Sequence, residues 1–297
     1  MSGALGDRLT ARTEVVMGTP VTIDVAGSGA EAAIERAFQW FYQIEECCTR
    51  FDPRSELMRL TARAGVAVPV SAILFESVQF ALKVAQETGG AFDPTVGHRM
   101  ESRGFNREHR TGNVIRTAIA PGDDVSYRDV HLDTERRTIT LLRPLILDLG
   151  AVAKGLAVDM AARELEPFTD FSINAGGDLY LGGSNPQGQP WRVGIRHPRR
   201  DRELIHCLCV SDQAVCTSGD YEQGRHILDP RTGSPADSVA SATVVAPGAM
   251  LADALSTAAF VLGAAEGIAL LDRMGVDGLI VTAELERHET RGLSHAE

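Results

Sequence analysis

Phe171-Ser-Ile-Asn-Ala-Gly-Gly-Asp-Leu-Tyr-Leu-Gly-Gly183 reads as two short β runs on either side of a glycine turn. No helical period separates the two runs, so they are expected to be joined directly. The same texture continues to Val245, with further strand-like runs set apart by Gly, Pro, Asn and Asp turns. Strands that follow one another, rather than alternating with helices, favour an α+β fold over a doubly wound sheet. The expected architecture is a single domain of two closely packed lobes, with mixed or antiparallel sheets and flanking helices.

Outward from this stretch, the helices announce themselves by period. Residues 29–48 place Ala33, Ala37, Trp40, Phe41 and Ile44 on one apolar stripe. Ser55 to Leu60 opens a short helical turn, and Ser71 to Thr88 forms an amphipathic helix closed by Gly89-Gly90. Ala151 to Leu165, Met250 to Leu262 and Glu266 to Met274 read as three more helices. Thr13 to Ala26 reads as a strand broken near Gly18-Thr19-Pro20, and Gly278 to Val281 as a last strand. The apolar run Pro144 to Leu149 is expected as a buried strand, whereas 98–140 is polar, with short strands near Thr138–Leu142. Residues 1–12 are taken as a flexible N-terminus, 13–282 as the domain and 283–297 as a polar, frayed tail.

Composition narrows the function. A net charge of −11 leaves no basic stripe for nucleic acid, so a negatively charged small ligand would need local help from backbone N–H groups, arginine, lysine or a metal. Lysine occurs only at positions 83 and 154. The five cysteines show neither CxxC pairs nor zinc spacing and are expected as free thiols. Met1 to Glu14 carries no apolar run and no later segment is a membrane span, which predicts a cytoplasmic protein. Neither GxGxxG after a strand nor a P-loop is present.

Four constellations carry possible chemistry. Asp148-Leu-Gly-Ala-Val-Ala-Lys154-Gly155 brings an acid to a helix start, where orphan N–H groups and Lys154 suit an anion; a capping Asp and a solvated Lys would read the same way. Asp253, Ser256 and Thr257 lie at i, i+3 and i+4 on an otherwise apolar helix, so their oxygens project together. A carboxylate among Leu, Ala and Phe must be paired or metal-bound, and oxygen-only donors suit Mg²⁺, although an Asp–Arg ion pair would also serve. Asn174–Asp178, Thr217–Tyr221 and His226–Gly233 are glycine-bearing polar turns beside strands, where a ligand can approach backbone. In Gly89 to Gly97, Phe92 is placed to stack on a flat ring and Asp93 to bond its polar edge.

These motifs, in this order, resemble the ApbE family of FAD:protein FMN transferases. The resemblance runs from Met17-Gly18-Thr19 through Ser55-Glu56-Leu57, Gly90–Gly97, Asp148–Gly155, Asn174–Asp178, Thr217–Tyr221, His226–Gly233 and Ala252–Ala258. It implies an enzyme that binds FAD and Mg²⁺ and moves FMN onto a Thr or Ser hydroxyl of an acceptor protein through a phosphodiester, with AMP leaving. It further implies that Met17, Ala91, Phe92 and Asp93 line the flavin pocket and that Asp148 and Lys154 contact FAD, with Thr217, Ser218 and Ile227 beside it. The Ala151 carbonyl, Asp253, Ser256 and Thr257 would hold Mg²⁺, and His226 would handle the acceptor proton. Water in place of the acceptor would give an FAD pyrophosphatase, and loss of turnover an FAD-binding protein. The chain departs from the family pattern at Thr61, where Asn is common, and at Arg225-His226, where some members carry two histidines.

Overall fold

The computed structural model describes residues 9–108, 112–117, 125–221 and 227–293. In chain order the elements are β1 (Leu9–Val16), β2 (Thr19–Ala26), α1 (Glu31–Cys48), α2 (Glu56–Thr61), β3 (Val68–Pro69), α3 (Ala72–Glu87) and α4 (Gly97–Ser102). Then follow β4 (Val130–Asp133), β5 (Thr138–Leu141), α5 (Gly150–Leu165), β6 (Phe171–Ala175), β7 (Asp178–Gly182), β8 (Trp191–Arg196) and β9 (Leu204–Val210). The chain closes with β10 (Gln213–Gly219), β11 (Val239–Ala246), α6 (Ala249–Leu262), α7 (Ala264–Met274), β12 (Asp277–Thr282) and β13 (Arg287–Glu289).

Eight strands form one sheet in the order β1-β2-β6-β7-β10-β11-β12-β13, and every neighbouring pair is antiparallel. The α+β expectation is therefore met with no parallel pair among the described strands. A three-stranded sheet, β3-β5-β4, belongs to the insertion between α1 and α5, and β8 and β9 form a separate ribbon.

The period-2 alternation of the central strands assigns the sheet two faces. Ala214 and Cys216 of β10, Val244 and Ala246 of β11 and Ile280 of β12 face a large core shared with α1, α5 and α6. Val215, Val245, Leu279 and Val281, one residue out of step, pack with Val193, Ile195, Leu208 and Val210 of the ribbon. The helices thus cover one face and the ribbon covers part of the other. All five cysteines are free, and Cys47, Cys48 and Cys216 are buried.

Local signals fix most helix starts. Ser55 accepts from the Met58 N–H at 3.0 Å and Ser71 from the Leu74 N–H at 3.2 Å, each capping a helix. The buried face of α1 is Ala33, Ile34, Ala37, Phe38, Phe41 and Ile44, while Trp40 sits at its margin and donates from Nε1 to Glu164 at 3.1 Å.

Four expectations change. Leu9 to Arg12, expected within the flexible N-terminus, belong to β1, where they pair with Ile23 to Ala26 of β2. Pro144 to Leu149 forms no regular element, and although Leu145, Ile146 and Leu147 are buried, the segment joins no sheet. Its backbone bonds instead go to the loop ahead of α4: Asp148 N–H to Pro94 O at 2.7 Å, and Gly97 N–H to Ile146 O at 3.2 Å. The polar region after 98 holds α4 and β4 as well as β5. The polar stretch from 283 carries β13, paired to β12, and buries Leu293.

Candidate active site

At one end of the sheet, α5, α6, β7 and β10 bring their polar residues together. Lys154 lies in the second turn of α5, and its Nζ meets Asp253 Oδ2 of α6 at 3.2 Å. The same ammonium is ion-paired with Asp178 Oδ2 at the start of β7. Asp178 is 4% exposed and Asp253 7%. Two buried carboxylates share one ammonium, so the cluster keeps an excess negative charge that low-dielectric surroundings make costly.

Hydroxyls complete the cluster. Ser218 Oγ of β10 lies 2.8 Å from Ser256 Oγ and 3.1 Å from Thr257 Oγ1, both on α6. Ser256 also donates to the Asp253 carbonyl at 2.9 Å. The sequence expectation that Asp253, Ser256 and Thr257 share a face therefore holds, and that face looks onto Ser218 and Lys154. Ala151, half-buried, lies three residues before Lys154 on α5.

The two helices are held unusually close. A Cβ on Gly155 would lie 2.5 Å from Met250 Cα and 2.6 Å from the Ala249 carbonyl carbon. Asp159, one turn further along α5, accepts the Ala249 and Met250 N–H groups at 2.6 and 3.0 Å, which fastens the start of α6. Burial pushes the Asp159 carboxyl above its ordinary range, against the lowering pull of those two bonds.

The glycine turns serve position. Gly176 and Gly177 have φ of +64° and +103°, and a Cβ on Gly176 would fall 2.2 Å from Thr19 Oγ1. That turn abuts the β1–β2 hairpin, where Met17 adopts φ +52° and donates its N–H to Glu45 at 3.1 Å. Asp178 follows directly, so Met17 and Asp178 mark neighbouring turns at the same end of the sheet.

Other expected site residues are placed differently. Thr217 is one residue from Ser218 and points to the opposite, ribbon-facing side, where its Oγ1 lies 2.9 Å from Thr243 Oγ1 across the ladder. The structure does not bring it to the Asp253 cluster. Ala91 and Phe92 are core side chains, 1% and 6% exposed, so Phe92 offers little ring surface for stacking. Asp93 Oδ1 accepts from the N–H and hydroxyl of Thr95 at 2.9 and 2.7 Å, and Oδ2 from the Tyr127 N–H at 2.9 Å. Burial raises its carboxyl above the ordinary range. In this structure these three residues pack and fix a turn. Ile227 is buried, and its carbonyl accepts the Ala236 N–H at 3.1 Å. His226 lies outside the described residues.

Asp148 has a partner that the sequence did not suggest. Arg50 Nε donates to Asp148 Oδ2 at 2.7 Å, its guanidinium also reaches the Phe105 carbonyl, and the Gly150 N–H donates to Asp148 Oδ1 at 2.9 Å. Arg50 is buried and stands outside every motif. Asp178 lies inside the Asn174–Asp178 motif, whose sequence indicates only a turn. Its pairing with Lys154 depends on a contact between residues 24 apart on different elements.

A model of the ApbE family matches residues 17–280. This chain belongs to the ApbE family. Among relatives, the FAD:protein FMN transferase of Treponema pallidum is 32% identical, covering 95% of this chain and 87% of that protein. The FAD:protein FMN transferase of Salmonella typhimurium is 29% identical, covering 92% of this chain and 84% of its own length. The crystal structure of the ApbE protein from Thermotoga maritima superposes with a TM-score of 0.84 at 29% identity, covering 96% of this chain and 97% of that one. The flavin transferase ApbE from Vibrio cholerae gives the same TM-score at 25% identity, covering 96% and 98%. The likeness to these ApbE structures extends over both the helix-covered and the ribbon-covered faces. None of the described helices is long and apolar enough to cross a membrane.

Proposed function

We propose that this ApbE-family chain is an FAD:protein FMN transferase. It moves FMN from FAD to a Thr or Ser hydroxyl of an acceptor protein, forming a phosphodiester and releasing AMP, with Mg²⁺ as its metal. The observation that carries the reading is the Lys154–Asp178–Asp253 cluster with Ser218, Ser256 and Thr257, in a chain whose relatives bear that name.

The donor set fits a hard divalent cation. Asp253 is buried on the helix that carries Ser256 and Thr257, both of which meet Ser218, and the two carboxylates outweigh the single ammonium. Among the described residues no three His, Cys, Asp or Glu side chains converge. An ion here would therefore take Asp253, hydroxyl or carbonyl oxygens such as Thr257 and Ala151, and oxygens from ligand and water, a set that suits Mg²⁺ better than zinc. When bound, Mg²⁺ supplies charge neutralisation and polarisation of phosphoryl oxygens.

The protein's own share is positioning and electrostatics. Lys154 places a fixed positive charge against the diphosphate. The hydroxyls of Ser218 and Thr257 orient oxygens around Asp253. Asp148, held by Arg50 and the Gly150 N–H, shapes the entry to α5. His226 is assigned the proton of the acceptor hydroxyl, for which an imidazole near neutral pH is suited.

The test is direct. Purified protein is mixed with FAD, Mg²⁺ and a folded acceptor domain from a flavinylated protein, and the acceptor is weighed by intact mass spectrometry. A gain of one FMN that disappears with chelator is expected. Free FMN and AMP with an unmodified acceptor would replace transfer by hydrolysis, and intact FAD would overturn the enzymatic reading for that acceptor.

A further inference from the structure

We propose that Asp178 is a positioning residue acting through Lys154: it holds the ammonium so that Asp253 remains available to a divalent cation. The inference rests on the metal reading of this cluster given above. It concerns a residue outside the proposed metal-binding set, and three observations lead to it.

First, Asp178 cannot easily go elsewhere. It begins β7 directly after Gly176-Gly177, both at positive φ. The Gly177 N–H is held by Asn174 Oδ1 at 3.0 Å, and Gly176 fits against Thr19 with no room for a Cβ. Second, Asp178 is nearly fully buried, so its charge needs a partner, and Lys154 supplies it. Third, Lys154 stands between two acids from different elements, and meets Asp253 through Oδ2 at 3.2 Å.

Charge arithmetic gives the consequence. With Asp178 in place, one carboxylate neutralises the ammonium and the other is left to balance a metal ion. Without it, the ammonium has Asp253 as its acidic partner, and the two cations compete for one carboxylate. A Lys154 tethered to Asp178 also stays at the cluster when a metal ion engages Asp253, where it can meet a phosphate.

The experiment is a titration of the full chain with Mn²⁺ alone, followed by electron paramagnetic resonance, alongside thermal melting. Asp178→Asn is expected to raise the Mn²⁺ dissociation constant about tenfold or more while the protein stays folded. Adding Lys154→Met to Asp178→Asn is expected to bring the affinity back towards wild type, because the competing ammonium is gone. Asp178→Glu should recover part of the loss. An unchanged affinity in Asp178→Asn would overturn the proposal, as would a double variant as weak as the single, since Asp178 would then act on the metal or the fold directly. Wild-type protein that binds no Mn²⁺ would instead overturn the underlying metal reading. If Asp178→Asn melts early, the Asp178→Glu and Lys154→Met comparisons decide on folded protein.

Discussion

Two acids, Asp159 half-buried and Asp253 buried, join α5 to α6, and they do so in opposite senses. Asp159 projects from α5 and spends both oxygens on the Ala249 and Met250 N–H groups at the start of α6. Asp253 projects from α6 and meets the Lys154 ammonium of α5, which it shares with Asp178. The first carboxylate is saturated by backbone donors that have no other use, which makes it a clamp. The second sits in a cluster with surplus negative charge and three hydroxyls nearby, which suits it to a cation and a phosphate. Burial alone does not separate a structural acid from a functional one; what its oxygens already hold does.

That contrast can be broken experimentally, and the largest expected effect is on chemistry. Asp253→Ala should slow Mg²⁺-dependent FMN transfer by about two to three orders of magnitude, on the scale of losing one electrostatic group in an active site. Melting should change little, because Lys154 keeps Asp178. Equal activity at saturating Mg²⁺ would remove Asp253 from the site.

Asp159→Ala should do the reverse. Losing two bonds to a helix N-terminus is expected to destabilise the fold by about 2 kcal/mol, read by chemical denaturation, with transfer per folded molecule little changed. pH sharpens the point. The Asp159 carboxyl is raised above its ordinary 3.8 by burial, so its protonated form is the one favoured by the fold. Its contribution is fully present below the ordinary value and falls as pH rises through the raised one. The stability margin of wild type over Asp159→Asn should accordingly shrink from acid towards neutral pH; a margin that grows would contradict the burial account.

The smallest effect tests adjacent residues on opposite faces of one strand. Ser218→Ala should slow transfer several-fold, whereas Thr217→Val should leave it near wild type and cost only its cross-strand bond to Thr243. Equal losses would mean that the site reaches around the end of β10.

Thr217 and Ser218 also show where the sequence stops being legible. Both sit in one polar, glycine-bearing motif, and a motif does not say which of two neighbours faces the helices. The parity becomes visible only when Cys216 and Val215 are seen in different cores. The helices were far more legible, since α1 and α3 each bury a stripe at helical spacing. Asp253, Ser256 and Thr257 were legible for the same reason, as helical spacing fixes a shared face. Pro144–Leu149 misled because a short apolar run is equally the signature of a strand and of any other buried segment. Arg50 left no mark, because its role depends on Asp148 arriving from 98 residues away.

The scarcity of lysine has a practical side. Lys83 is exposed on α3, whereas Lys154 is locked between two carboxylates at the foot of α6. Amine-directed coupling to a sensor surface or a dye will therefore favour Lys83 and the terminal amine over the cluster. Such coupling should leave Lys154 unmodified, so an immobilised sample keeps the ammonium paired at the cluster.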